Sequence, residues 1–226
     1  MDTNQLIEQL AENGDPVQRL ATPWTRTAVW LLIAAPYVAM IVILVAPRND
    51  LGIKLSESRF LLEQIAALCT AIAAAIAAFT SIVPGYDRRL MLIPLVPLGV
   101  WLASLGQGCA QTWMQGGTGL SLASDWACIP TIALVGTVPA FAMALMLRKG
   151  APLMPHVSAA LGGLAAAGLG NFGLRLFHTE DASMMVLVWQ MGTVILLTMM
   201  AASTGRIFLD WRPLLANVRR NVKASS

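Results

Sequence analysis

Apolar residues gather along this chain into six runs of about twenty, at 27–46, 60–83, 90–108, 127–147, 157–177 and 184–204, divided by short polar stretches. As a helix rising 1.5 Å per residue, each run is long enough to cross a hydrocarbon layer of about 30 Å. Lipid offers no partner to an open backbone, so runs of this kind span as helices. The pattern predicts an all-α fold, a polytopic membrane protein built as a six-transmembrane-helix bundle. Pro94 and Pro97 blur the start of the third span, and the Gly/Ala-rich fifth has soft edges as well. Three regions follow: a cytoplasmic N-terminal segment at 1–26, a membrane domain at 27–204 and a cytoplasmic basic tail at 205–226.

Composition agrees, since 12% of the residues are charged and 57% hydrophobic with mean hydropathy +0.67, a balance that 226 water-soluble residues could not hide in one core. The first apolar run starts only at Thr27 and is long enough to span, so it is expected to stay in the mature protein rather than be cleaved as a signal peptide. Orientation comes from Lys and Arg, because positive loops resist translocation. Arg19, Arg26, Arg88, Arg89, Arg148, Lys149 and the tail residues Arg206, Arg212, Arg219, Arg220 and Lys223 fall on one side. The opposite side has Arg48, Lys54 and Arg59, all in the first loop. The expected location is the bacterial inner (cytoplasmic) membrane with both termini in the cytoplasm. The net charge of +3 then reflects topology and gives no reason to expect direct nucleic-acid binding.

The N-terminal segment carries a short amphipathic unit. Leu6, Ile7 and Leu10 lie at helical spacing behind a Thr3 cap, Gly14 breaks the pattern, and Asp15-Pro16 caps a second turn with Val17, Arg19 and Leu20. A helix this short is unstable alone in water and has few cations to hold it on a bilayer surface. Docking on the groove of a soluble partner is therefore favoured over lying on the membrane.

Within the spans, Gly162, Gly163, Gly168 and Gly170 with Ala165 to Ala167, and the alanines from Ala71 to Ala78, are expected to let helices pack closely. Glu63 and Arg175 are the ionisable groups at membrane depth, near the outer face in this orientation, and form a candidate intramembrane ion pair. A structural pair is favoured over a proton or ion site, because no further carboxylate or His lines the deeper membrane as a relay requires. Cys69, among Ala and Leu, reads as a buried apolar thiol.

Cys109 and Cys128 end the third span and begin the fourth, close to the outer surface, with the Gly-rich stretch 115–119 between them. The fifth loop offers His178, Glu180 and Asp181 on the same side. Such groups suit a transient heavy-metal ion held by Cys109, Cys128 and His178, or a redox switch of the two thiols; a static disulfide fits equally. No resident cofactor is expected. A catalytic reading lacks its motifs, with no G-x-S-x-G, no H-E-x-x-H and no phosphate-cradling loop followed by Lys, and His156 reads as an isolated loop residue.

Taken in order, Leu6-Ile7-x-x-Leu10-Ala11, Pro16-Val17-x-Arg19-Leu20, Pro23-Trp24, Arg59-Phe60-Leu61-Leu62-Glu63, Val83-Pro84-Gly85, Gly108-Cys109, Asp125-Trp126-x-Cys128, Gly150-Ala151-Pro152 and His178-x-x-Asp181 give a chain that resembles the NrsF family of six-helix membrane anti-sigma factors. The resemblance implies a protein that holds an extracytoplasmic-function (ECF) sigma factor inactive at the membrane and releases it when outer-face cysteines sense metal or oxidative stress. Contact with the sigma factor carries over to Leu6, Ile7, Leu10, Val17, Arg19 and Leu20, and sensing to Cys109 and Cys128. One departure stands out. The family's fifth loop reads His-Cys-Pro-x-Asp/Glu, whereas this chain has His178-Thr179-Glu180-Asp181, so a disulfide through that Cys position is closed to it. The alternative from another class is a small membrane transporter or channel, which calls for inverted repeats or broken helices that the two halves do not display.

Overall fold

The computed structural model describes residues 20–83, 85–114, 128–150, 154–177 and 192–209, and these are helical with no strand among them. The helices are α1 (Pro23–Val45), the single-turn α2 (Leu51–Lys54), α3 (Ser58–Ser81), α4 (Leu95–Met114), α5 (Cys128–Arg148), α6 (Pro155–Phe177) and α7 (Gly192–Leu209). Segments Pro23–Val45, Ser58–Ser81, Arg89–Gln107 and Pro155–Phe177 are long and apolar enough to cross a membrane, and α5 and α7 are apolar over Leu134–Arg148 and Val194–Thr204.

Several boundaries move from the apolar runs for local reasons. Helix α1 starts before Thr27 because Thr22 caps it, its hydroxyl accepting the Thr25 N–H at 3.3 Å, while Pro23 sits at the first position, where a missing N–H costs nothing. The third run divides. Arg88–Leu92 forms a 3-10 turn capped by the Asp87 carboxylate on the Arg89 N–H at 2.9 Å, and α4 begins after Pro94 and continues past Cys109 to Met114.

Helix α6 lies at the centre and packs on α3, α5 and α7; α4 packs on α3, and α1 on α5 and α3. The α3–α6 contact is built from small side chains. Ala71, Ala74, Ala75 and Ala78 are fully buried, and a Cβ at Gly168 would sit 3.4 Å from that of Ala71, so the two backbones run close. Helix α1 adds Trp30, Ala34, Val38 and Val42 at four-residue spacing. Cys69 differs from its sequence reading: it is an exposed free thiol on the side of α3 away from this core.

The outside of the bundle is as apolar as its inside. Leu32, Ile43, Leu44, Val96, Phe141 and Met199 are all at least 65% exposed. Large contiguous apolar surface is unfavourable in water and ordinary in lipid, so the exterior fits a membrane location.

Candidate functional site

The long helices alternate in direction. One end of the bundle therefore collects the start of α1 with the ends of α3 and α5, and the other collects the start of α3 with the ends of α1 and α6. At the second end an ionic cluster closes around Glu63. Arg175 Nη1 donates to Glu63 Oε2 at 2.6 Å, and Arg59 Nε donates to Oε1 at 3.1 Å. Glu63 lies in the first two turns of α3 and Arg175 in the last turn of α6, so each charge also complements its helix dipole.

Burial differs among the three groups. The side chains of Glu63 and Arg175 are 5% and 9% exposed, and that of Arg59 is 41% exposed. Phe60, one turn before Glu63, offers its ring face to two guanidinium groups, Arg175 at 5.2 Å and Arg48 at 6.0 Å. Arg48 also chelates Asp50 through Nε at 2.6 Å and Nη2 at 2.8 Å, and its backbone N–H donates to the Leu176 carbonyl at 3.1 Å. That guanidinium, outside the spans, holds the Asp50 carboxyl below its usual range, the hydrogen bond acting more strongly than the charge alone. Arg59 reaches the Ser104 carbonyl of α4 at 3.4 Å. The loop after α1 and helices α3, α4 and α6 thus meet in one cluster.

Two neutral polar residues join this end without having been singled out from sequence. Gln64 follows Glu63, and Asn171 sits one turn before Arg175. Both are buried, and the Gln64 amide and the Asn171 Oδ1 have no hydrogen-bond partner. The signal was present, since Asn171 is a lone amide among Gly, Ala and Leu and Gln64 stands beside Glu63 within an apolar run.

The opposite end is held by Arg26, whose Nη2 donates to the Met146 carbonyl and whose guanidinium lies 4.7 Å from the Phe79 ring centre. Ser81 and Ser158 join α3 to α6 at 2.7 Å. His156 is not isolated: its Nδ1 lies 2.8 Å from the Ala202 carbonyl, which can only accept, so this ring nitrogen carries the proton.

Of the residues expected to sense, Cys109 and Cys128 are helical positions in α4 and α5, and their side chains lie outside the described residues. Among the described residues α4 packs chiefly on α3, and α5 chiefly on α6 and α1. His178, Glu180 and Asp181 lie outside the described residues, as do Leu6, Ile7, Leu10, Val17 and Arg19; Leu20 is described and exposed.

Residues 10–211 match the family described as NrsF, negative regulator of sigma F. No curated protein matches the chain, and no solved structure does.

Proposed function

This chain belongs to the NrsF family, negative regulators of sigma F, and on that premise we propose that it is an inner-membrane anti-sigma factor with six spans and cytoplasmic termini. It sequesters an ECF sigma factor and releases it when Cys109 and Cys128 are oxidised or bind a heavy metal, His178 and the carboxylates of Glu180 and Asp181 assisting the metal. The observation that carries this reading is the family match over most of the chain. Support comes from the apolar exterior and from the excess of Lys and Arg at one end. The family role is regulatory and gives no reason to expect catalysis.

In this reading the sigma factor docks on the amphipathic unit of 1–22, with Leu6, Ile7, Leu10, Val17, Arg19 and Leu20 at the contact. Oxidation joins the two thiols with loss of two electrons and two protons to the oxidant, and metal ligation displaces the thiol protons. Either change acts on α4 at a point just over one turn beyond Ser104, whose carbonyl takes Arg59 of the ionic cluster. Shifting a two-state equilibrium from 1:99 to 99:1 requires about 5.5 kcal/mol of differential binding. Thiolate–metal ligation, at about 10–16 kcal/mol in structural zinc sites, exceeds that.

The test is a pull-down from native membranes of the intact protein beside a version lacking residues 1–21, which retains the Thr22 cap of α1. A sigma factor held only by the intact protein supports the reading and its docking segment. If neither version holds one, the reading fails and solute flux in reconstituted vesicles tests the transporter alternative. Within a working pair, Cys109→Ser with Cys128→Ser is expected to keep binding and lose release under metal or oxidant.

A further inference from the structure

We propose that the groove between α5, α6 and α7 binds an anionic phospholipid, with an acyl chain in the groove and the phosphate at Arg148 and Lys149. The groove has a volume of about 460 Å³ and is walled by Gly136, Ala140 and Leu147 of α5, Gly163 of α6, and Leu197 and Thr204 of α7. From Gly136 to Leu147 it runs about 16 Å at 1.5 Å per residue, the depth of one leaflet.

The groove offers a polar ligand little beyond the acceptor lone pairs of two threonine hydroxyls. Thr204 gives its hydroxyl to the Met200 and Ala201 carbonyls at 2.8 and 3.2 Å, Thr137 is also engaged, and the other walls are apolar. What fills the groove is therefore hydrocarbon. The cations that follow the wall residue Leu147 in the chain are Arg148 and Lys149, which do not line the groove but continue from its Leu147 end, both exposed and without an ion pair among the described residues. By the distribution of Lys and Arg this end opens in the cytoplasmic leaflet, where anionic headgroups concentrate.

A second copy of the chain fits less well as occupant. Close helix approach needs free small residues, and here Gly162 already faces Met143 and Gly163 already faces Ala201 of the same chain. The site rests on the membrane-spanning reading and not on the identity of the sigma factor.

The test uses full-length protein, purified in detergent and stripped of lipid. It is titrated with phosphatidylglycerol or with phosphatidylcholine of the same chains, and native mass spectrometry counts the adducts. Phosphatidylglycerol should be held about tenfold more tightly. Arg148→Gln with Lys149→Gln should remove that preference. Ala140→Phe, which sends a ring into the groove from an exposed position, should weaken both lipids by a similar factor, with Ala144→Leu as the milder variant if the first misfolds. Equal affinity for the two lipids, or a preference that survives neutralisation, overturns the headgroup site. Groove variants that bind as the parent does overturn the acyl site, and displacement by chain-free glycerol phosphate overturns a lipid as the occupant. Flotation with liposomes separates the two readings: a protein that floats yet fails the titration refutes this site alone.

Discussion

Replacing Glu63 by Leu should destabilise the bundle more than any other single change at the ionic cluster. It removes the carboxylate that faces Arg175 and leaves a guanidinium, 9% exposed, against the ring of Phe60. Breaking a buried pair by deleting one partner costs about 3–5 kcal/mol, most of it the charge left uncompensated. Arg175→Leu is the smaller perturbation, because Glu63 keeps Arg59. That contact is half exposed and worth about 1 kcal/mol at most, so a cost of about 2–4 kcal/mol is expected. In the double variant Glu63→Leu, Arg175→Leu both buried charges are gone. Apolar replacement of a buried pair is often near neutral, so its cost should fall below that of either single change. A coupling of at least about 2 kcal/mol follows. The assay is unfolding of purified protein in mixed micelles by added sodium dodecyl sulfate, followed by tryptophan fluorescence, which the buried Trp30 and Trp101 make sensitive to packing. Equal costs for the two single variants, or a double variant that costs their sum, would refute this account of the cluster.

Three further outcomes test other parts of the fold. Gly163→Ala places a Cβ 2.7 Å from that of Ala201 and should cost about 1–3 kcal/mol by overpacking, whereas Gly99→Ala meets nothing within 4 Å and should stabilise by about 0.4–1 kcal/mol; the same unfolding assay compares them. Arg48 lowers the Asp50 carboxyl in the folded state, so this pair's contribution is complete above the ordinary carboxyl value of about 3.9 and is lost as pH falls through the lower folded value. Asp50→Asn should remove that acid-side dependence by lowering the neutral-pH midpoint toward the acid-side value, since Arg48, 1% exposed, then lacks its carboxylate; unfolding midpoints across pH measure this. Tyr37→Phe deletes a 2.9 Å hydrogen bond from α1 to an α5 carbonyl and should cost about 1 kcal/mol, while Trp30→Phe deletes another and also empties part of a fully buried site, so it should cost more, with sigma-factor capture retained and release blunted in both.

Apolar runs revealed where the helices lie, because lipid forces a spanning backbone to satisfy itself along its own axis. They could not reveal which face of a helix turns inward, and Cys69 illustrates why. In water an apolar thiol in an apolar run is drawn inside, but here exterior and interior are equally apolar, so hydropathy carries no facing information. Size does carry it. Ala67, Ala71, Ala74, Ala75 and Ala78 mark the buried face of α3, and Cys69 falls off that face. Glu63 and Arg175 stood out because charge at membrane depth is rare. Phe60 did not, because nothing in an apolar run distinguishes a ring that packs on guanidinium groups from one that faces lipid. The start of α1 was legible in Thr22-Pro23 as a capping pair, but the hydropathy edge at Thr27 obscured it.

The hydrogen bonds between α1 and α5 constrain how a change at the far end could reach the sigma factor. Tyr37 Oη donates to the Leu134 carbonyl, Trp30 Nε1 to that of Pro139 and Arg26 Nη2 to that of Met146, which fastens α1 to α5 at three levels. Side chains of α1 grip backbone atoms of α5 in each case, so the two helices slide past one another only by breaking these bonds. Helix α5 begins at Cys128, and α1 follows in sequence the segment proposed above to dock the sigma factor. A displacement of α5 is therefore passed to α1. Helix α4, bearing Cys109, packs chiefly on α3, adds the Arg59–Ser104 bond, and places Trp101 and Leu105 in a buried cluster with Ala167 of α6 and Val194 of α7. In the proposed mechanism, joining the two cysteines would tie α5, and through it α1, to α4. The ionic cluster, where the loop after α1 meets α3, α4 and α6, would resist such a displacement.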